Sequence, residues 1–241
     1  MDVNRDALAS MDADTRRTAF LELAVACGVL EFGDFALKSG RRSPYFFNAG
    51  AFDDARSMAA LGTAYAAAIV AAGFEFDVLF GPAYKGIPLA VTTGVALARE
   101  QDVDCGIAYN RKEAKDHGEG GSLVGASLAG RVLLVDDVIT AGTAVREVLP
   151  LIEDAGGTLV AILTALDRQE RGCGAHSATR ELAEELGVPV VSIVTLDDLV
   201  AWLERTGQYE RMEQVAAYRA RHGVGESGSG FPESRSDRSV D

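Results

Sequence analysis

A segment that runs from residue 131 to residue 144 places the strongest constraint on how this chain can fold. It begins with an uninterrupted apolar run, residues 132–135, of the kind expected for a strand buried on both faces of a parallel sheet. Asp136 and Asp137 follow where that strand should end, and then come small residues and the apolar spacing of a helix. Amide groups at a helix N-terminus hold phosphates, and carboxylates accept hydrogen bonds from sugar hydroxyls. The segment therefore predicts a sugar-phosphate site, with exposed aspartates in an ordinary strand–turn–helix as the alternative.

The composition favours a compact α/β protein and argues against two kinds of partner. The chain has 241 residues, of which 48% are hydrophobic and 26 are glycine, enough for one domain with a substantial core. Its formal net charge is −13, which disfavours non-specific binding to nucleic acids or membrane surfaces because both are anionic. An anionic substrate therefore needs a locally basic site.

The three cysteines, Cys27, Cys105 and Cys173, are odd in number and far apart, so neither a disulfide framework nor a zinc site is indicated. The N-terminus lacks an apolar signal core, and no apolar run reaches the length of a membrane span. We therefore expect a cytoplasmic protein with no membrane association.

Apolar strand patterns alternate with helical patterns along most of the chain, which predicts a central, mostly parallel sheet flanked by helices. We expect residues 1–14 to form a flexible extension and residues 15–222 a single domain. Residues 223–241 are rich in Gly, Ser and charge, and we expect a disordered tail.

Two short strands near the N-terminus are predicted to form a small hood on this domain. The string Leu37-Lys38-Ser39-Gly40-Arg41 is followed by Ser43-Pro44-Tyr45-Phe46-Phe47-Asn48, which indicates a Ser-Gly turn and a proline break. With a two-residue period, the aromatic residues at 45, 46 and 47 cannot all face one core. They can line a flat ring or form a satellite core.

Three further segments place polar residues beside predicted strands. Residues 81–88 put glycines, Tyr84 and Lys85 between an apolar strand and a helix, at the sheet edge where α/β ligand sites gather. Residues 110–122 have no apolar anchor, so we expect a mobile loop. Arg168 follows the strand at residues 159–166, where a surface salt bridge is the alternative to a binding role.

These motifs resemble the type I phosphoribosyltransferases and, more narrowly, the orotate phosphoribosyltransferases. The apolar run, the acidic pair and Thr140-Ala141-Gly142-Thr143 resemble the signature that binds phosphoribosyl pyrophosphate (PRPP). The hood string, the order Arg-Lys-Glu-x-Lys-x-His-Gly from Arg111 and the order Leu-Asp-Arg-Gln-Glu-x-Gly from Leu166 resemble the orotate enzymes. The resemblance extends from about Phe20 to His222 and implies the type I phosphoribosyltransferase fold. It also implies conversion of orotate and PRPP to orotidine 5′-monophosphate and pyrophosphate in pyrimidine biosynthesis.

The resemblance further implies roles for individual residues. The catalytic set would be Lys115, His117, Asp136 and Asp137. The PRPP-binding set would be Lys38, Tyr84, Lys85, Arg111, Lys112, Lys115, His117, Asp136, Asp137, Val138, Ile139, Thr140, Ala141, Gly142, Thr143 and Ala144. The orotate-binding set would be Phe46, Phe47, Thr140 and Arg168, with the planar guanidinium on the orotate carboxylate.

The cofactor and partners are also implied by the resemblance. Mg²⁺ is expected to bridge pyrophosphate and ribose oxygens and to be held mostly by substrate and water rather than by a protein cage. A homodimer is expected, with the catalytic loop closing over the neighbouring subunit's site. A PRPP-sensing regulator that binds DNA is an alternative, but the acidic chain offers no basic helix-turn-helix segment. A purine phosphoribosyltransferase is a second alternative.

Overall fold

The computed structural model describes residues 12–37, 40–115, 121–172 and 174–224. Its α-helices are α1 (Ala13–Ala26), α2 (Ala55–Ala72), α3 (Gly86–Glu100), α4 (Thr143–Asp154), α5 (Ala178–Leu186), α6 (Leu196–Arg205) and α7 (Tyr209–His222). Its strands are β1 (Leu30–Ala36), β2 (Arg42–Phe47), β3 (Val78–Gly81), β4 (Gly106–Lys115), β5 (Gly121–Gly125), β6 (Gly130–Asp136), β7 (Gly157–Asp167) and β8 (Val190–Thr195). The domain boundaries expected at residues 14 and 222 stay predictions.

Six strands form the central sheet in the order β5-β4-β3-β6-β7-β8. Neighbouring strands are parallel except for β5, which runs antiparallel to β4 at one edge. The predicted mostly parallel sheet is confirmed. Its order reverses between β3 and β6, and ligand sites of α/β proteins form outside the carboxyl ends of strands at such a position.

Strand β6 is buried on both faces, as its apolar run predicts. Leu133 and Val135 belong to one hydrophobic cluster, whereas Val132 and Leu134 belong to the other. Helices α1, α2, α3, α6 and α7 contribute to the first cluster, and α4 and α5 contribute to the second. Trp202 on α6 is 5% exposed and packs in the first cluster. The sheet is therefore the middle layer of three.

Helix α2 is an exception to the expectation that no apolar segment is long enough to span a membrane. Over its 18 residues the mean hydropathy is 1.3, so among the described helices this one meets the length and composition of a membrane span. Alanines supply much of that hydropathy without forming a long run of large apolar residues. However, 56% of the segment is buried inside the protein, as in a core helix.

The hood is an antiparallel hairpin of β1 and β2. Tyr45 and Phe47 are buried, with 0% and 8% of their surface exposed, whereas the intervening Phe46 is half-buried on the other face. The Phe46 ring stacks on Phe35 with centroids 5.5 Å apart. The prediction that the three aromatic rings cannot share one face is confirmed.

The expectation of a mobile loop at residues 110–122 was wrong for the residues described there. Strand β4 continues to Lys115, and Asn110 pairs with Leu123 while Lys115 pairs with Gly121 across the β4–β5 hairpin. Backbone hydrogen bonds between β4 and β5 hold these residues, so no apolar anchor is needed. We call the paired segment, residues 110–115 and 121–123, the β4–β5 arm. Residues 116–120 lie outside the described part of the chain.

Candidate active site

Asp136 and Asp137 lie at the carboxyl end of β6, beside the order reversal of the sheet. The Asp137 amide donates to Asp136 Oδ1 at 2.9 Å, and the Val138 amide donates to Asp137 Oδ1 at 2.8 Å. Burial, followed by the neighbouring charge of Asp137, raises the pKa of Asp136 from its ordinary value of 3.8 to about 6. The pair is thus oriented by the backbone, and the charged form of Asp136 is disfavoured by its burial.

Tyr65 on α2 supports the acidic pair from behind. Its hydroxyl donates to the backbone carbonyl of Asp136 at 2.7 Å, and the ring is completely buried. Tyr65 lies among the buried apolar residues of α2, so its position in the sequence pattern alone predicts only core packing. A hydroxyl on an otherwise apolar helix stripe was the one available signal, because a buried tyrosine usually needs a hydrogen-bond partner.

The small-residue loop after the acidic pair presents the N-terminus of α4. Ile139 is buried and anchors the loop, whereas Thr140, Ala141 and Thr143 are exposed. Gly142 is the N-cap residue, with a φ of 68° and no side-chain capping hydrogen bond. A Cβ there would be strained and 3.0 Å from Leu182. The loop is therefore shaped to leave amide groups accessible to an anion.

The loop between β3 and α3 contacts the acidic pair directly. Lys85 Nζ donates to Asp137 Oδ2 at 2.7 Å. Gly81 permits this turn, because a Cβ at that position would lie 2.0 Å from the Gly86 carbonyl oxygen. The Ala83 amide donates to Asn110 Oδ1 at 2.8 Å, which ties the loop to β4, and the Ala83–Tyr84 peptide is cis.

The β4 arm brings further basic residues to the same edge. Lys112 Nζ lies 5.5 Å from the centroid of the Tyr84 ring, and Tyr84 is 67% exposed. Arg111 is half-buried on the same strand. The backbone of Lys115 ends the strand, but its side chain lies outside the described part of the structure. Lys38 and His117 also lie outside the described residues.

The distribution of lysine supports this grouping. The chain has four lysines, and every one belongs to the predicted PRPP-binding set: Lys38, Lys85, Lys112 and Lys115. In a protein with a net charge of −13, the two lysines whose side chains are described, Lys85 and Lys112, both lie at the edge of the sheet that carries the acidic pair.

Arg168 lies just beyond the carboxyl end of β7, next to the hood. It is 7% exposed, so it does not form the surface salt bridge considered as the alternative. Its Nε donates to Glu170 Oε1 at 2.8 Å, and its guanidinium carbon lies 4.9 Å from the centroid of the Tyr45 ring. The structure thus connects Arg168 with the hood strand that carries Phe46.

Phe46 and Phe47 lie on opposite faces of β2, with Phe47 packed in the core. The two rings therefore do not form one wall in this arrangement, and their role in orotate binding stays a prediction. No cluster of three or more potential metal-ligating side chains lies among the described residues. The Asp136–Asp137 pair fits a metal that is held mostly by substrate and water oxygens.

Comparison with known proteins first defines the class. Residues 48–173 match the family model of the phosphoribosyl transferase domain, which spans the acidic pair, the small-residue loop and Arg168. The mostly parallel sheet and the small-residue loop before α4 agree with this class.

The particular family follows from full-length relatives. The chain is 58% identical over 206 residues to the orotate phosphoribosyltransferases of Vibrio cholerae and of Salmonella newport, covering 85% of this chain and 97% of each relative. The crystal structure of the orotate phosphoribosyltransferase of Francisella tularensis is similar with a TM-score of 0.78 and 36% identity, over 86% of this chain and 100% of that one. The chain belongs to the orotate phosphoribosyltransferase family.

Proposed function

We propose that this protein transfers the ribose 5-phosphate group of PRPP to orotate, giving orotidine 5′-monophosphate and pyrophosphate. The 58% identity to orotate phosphoribosyltransferases over nearly their whole length is the observation that carries this proposal. The geometry supports it, since the small-residue loop before α4, the acidic pair, Lys85 and Lys112 lie at one edge of the sheet.

The chemical task is to break the bond between ribose C1 and a pyrophosphate oxygen while N1 of orotate forms the new bond and gives up its proton to the solvent. Positive charge develops on the ribose during this step. Asp136 and Asp137 would accept hydrogen bonds from the ribose hydroxyls and stabilise that charge. The loop from residue 138 to residue 144 would hold the 5′-phosphate through its amide groups.

The basic residues would act on the leaving group. Lys38, Tyr84, Lys85, Arg111 and Lys112 would bind the pyrophosphate, and Lys115 and His117 are the candidates for protonating it or stabilising its charge. Bound Mg²⁺ would neutralise pyrophosphate charge, with Asp136 and Asp137 as the carboxylates available to it. Arg168 would bind the orotate carboxylate through two parallel hydrogen bonds.

A direct assay tests the activity. Protein, MgCl₂ and PRPP are mixed with orotate, uracil, adenine, hypoxanthine or guanine in separate reactions. We expect orotate absorbance to fall and orotidine 5′-monophosphate to appear by chromatography. Arg168→Ala should raise the KM for orotate, whereas Arg180→Ala, which removes an exposed partner of Glu184, should leave it unchanged. Consumption of a purine, or no consumption of orotate, would refute the proposal.

We also propose a cytoplasmic homodimer in which the β4–β5 arm completes the partner's site. Val91 and Val95, one turn apart on α3, are 41% and 49% exposed, and exposed apolar side chains of this kind favour association.

Mixing the inactive variants Lys115→Ala and Asp137→Asn tests whether the site is shared between subunits. If each site needs the arm of one subunit and the acidic pair of the other, random heterodimers restore about a quarter of the activity. Sites contained within one subunit would restore none.

A further inference from the structure

The guanidinium group of Arg168 is contacted by Glu170 along its Nε edge and by the Tyr45 ring on one of its planar faces. Its Nε donates to Glu170 Oε1 at 2.8 Å, and its Nη2 lies 2.6 Å from the same oxygen. Nη2 is buried and makes no aligned hydrogen bond within the described structure. Tyr45 covers one face of the guanidinium at 4.9 Å. Because Glu170 occupies the Nε side, the edge formed by the two terminal nitrogens is the one suited to a bidentate carboxylate.

Glu170 is contacted by three separate parts of the chain. Besides Arg168, it accepts a hydrogen bond at Oε1 from the Tyr218 hydroxyl on α7, at 2.7 Å. At Oε2 it accepts a hydrogen bond from Arg41 Nη1 in the hood, at 3.0 Å. The end of β7, the hood and the C-terminal helix therefore meet at one carboxylate.

The backbone fixes this meeting point. The Arg171 amide donates to the carbonyl oxygen of His222 at 2.9 Å, and Glu170 and Gly223 form an isolated bridge. The end of α7 is thus attached to the turn that carries Arg168. A displacement of α7 would be transmitted to Glu170 and from there to the guanidinium.

The charge balance at this point favours an additional anion. Two guanidinium groups, Arg41 and Arg168, share the single carboxylate of Glu170. The nearby Asp167 is turned elsewhere, accepting hydrogen bonds from Thr179 Oγ1 at 2.8 Å and from the Gln169 amide at 2.7 Å. Burial raises the pKa of Tyr45, so its hydroxyl stays neutral and supplies no negative charge. A substrate carboxylate would neutralise the remaining positive charge.

We propose that Glu170 and Tyr218 are positioning residues for base recognition, and that the C-terminal helix thereby contributes to selection of a carboxylated pyrimidine. Glu170 orients Arg168 from its Nε side, and the Tyr218 hydroxyl fixes Glu170. This inference rests on the proposed function, because it assigns Arg168 to the orotate carboxylate.

The test compares two nucleotides that differ by the carboxylate alone, orotidine 5′-monophosphate and uridine 5′-monophosphate. Their dissociation constants are measured by calorimetry for the full chain, for Glu170→Gln and for Tyr218→Phe. We expect Glu170→Gln to weaken orotidine 5′-monophosphate roughly 10-fold or more and to leave uridine 5′-monophosphate within about 2-fold. Tyr218→Phe, which removes one neutral donor, should weaken the carboxylated nucleotide roughly 3- to 10-fold.

The control is on the same helix as Tyr218. Tyr209→Phe changes a tyrosine that is 60% exposed, and it should alter neither constant. Unchanged discrimination in both variants, or equal weakening of both nucleotides, would overturn the inference. Tighter binding of the carboxylated nucleotide to Glu170→Gln would also overturn it, because Glu170 would then be a competitor for Arg168. If Glu170→Gln does not fold, Tyr218→Phe decides, since it keeps the ring packing.

The same experiment separates this inference from the proposed function. A wild-type protein that binds both nucleotides equally would contradict the assignment of Arg168 itself. A wild-type protein that discriminates between them, with variants that discriminate equally well, would contradict only the positioning role.

Discussion

Lys85 Nζ lies 2.7 Å from Asp137 Oδ2, and this contact joins the loop after β3 to the acidic pair after β6. The lysine side chain is 57% exposed and the aspartate side chain is 13% exposed. The ammonium group is therefore open to solvent, whereas the carboxylate that it contacts is mostly buried. The pair couples the proposed pyrophosphate region to the proposed ribose region.

Lys85→Gln should weaken PRPP binding. The substitution removes a charged donor that would reach the pyrophosphate and leaves Asp137 without this cation. We expect the KM for PRPP to rise roughly 10-fold or more, with the KM for orotate within about 2-fold. Steady-state kinetics with each substrate varied in turn provides the measurement.

A matched control must come from an arginine, since every lysine of the chain belongs to the proposed site. Arg56→Gln is suitable because Arg56 is exposed on the first turn of α2. It should leave both KM values unchanged. If Lys85→Gln instead raised only the KM for orotate, the assignment of Lys85 to the pyrophosphate of PRPP would be wrong.

Asp136→Asn should stabilise the protein at neutral pH while abolishing much of its activity. The pKa of Asp136 in the folded protein, about 6, is above its ordinary value of 3.8. Between these values the folded state binds more protons than the unfolded state, so stability falls as pH rises from about 4 to 6 and stays reduced above. The difference between a pKa of 3.8 and one of about 6 corresponds to ~3 kcal/mol, and partial solvent screening should reduce this to roughly 1–2 kcal/mol.

Denaturant unfolding at pH 8 and pH 4 measures this effect. The stability advantage of Asp136→Asn should be present at pH 8 and absent at pH 4. The control is Asp104→Asn, which changes an exposed aspartate outside the site and should alter the free energy of unfolding by less than about 0.5 kcal/mol at pH 8. An advantage that is the same at both pH values would show that removal of the charge is not its cause.

The strands, and the edge of the sheet at which the candidate site lies, could be predicted from the sequence because both depend on the pattern of apolar residues within short segments. The apolar runs before Asp136 and Arg168 required strands buried on both faces, and parallel strands place their carboxyl ends at one edge. The lysine between Gly81 and Gly86 was therefore expected at this edge of the sheet, and it lies there, 2.7 Å from Asp137.

Contacts between distant residues could not be predicted in the same way. Tyr65 and Asp136 are 71 positions apart, and nothing in the apolar stripe of α2 specifies the carbonyl that its hydroxyl reaches. Arg41 and Glu170 are 129 positions apart. The β4–β5 arm was misjudged because its pairing depends on backbone hydrogen bonds rather than on apolar side chains.

Tyr65→Phe should cost stability and disturb the acidic pair. The change removes the 2.7 Å hydrogen bond to the Asp136 carbonyl and keeps the packing of the buried ring. We expect a loss of roughly 0.5–1.5 kcal/mol in the free energy of unfolding and a higher KM for PRPP. The exposed Tyr209 offers the control, and Tyr209→Phe should change neither quantity. An unaltered free energy of unfolding in Tyr65→Phe would mean that the hydroxyl contributes nothing.

Chemical modification that removes the positive charge of the lysines should inactivate the enzyme, whereas modification that retains the charge should not inactivate it to the same extent. Acetylation removes the positive charge of Lys38, Lys85, Lys112 and Lys115, together with that of the N-terminal amine. We expect activity to fall in proportion to acetylation of the lysines, as mapped by mass spectrometry, and PRPP with Mg²⁺ to protect both the lysines and the activity. Orotate alone should protect neither. Reductive methylation is the matched control because it retains the charge, and it should leave a larger share of the activity. Full activity after complete acetylation of Lys85 and Lys112 would exclude their charges from PRPP binding.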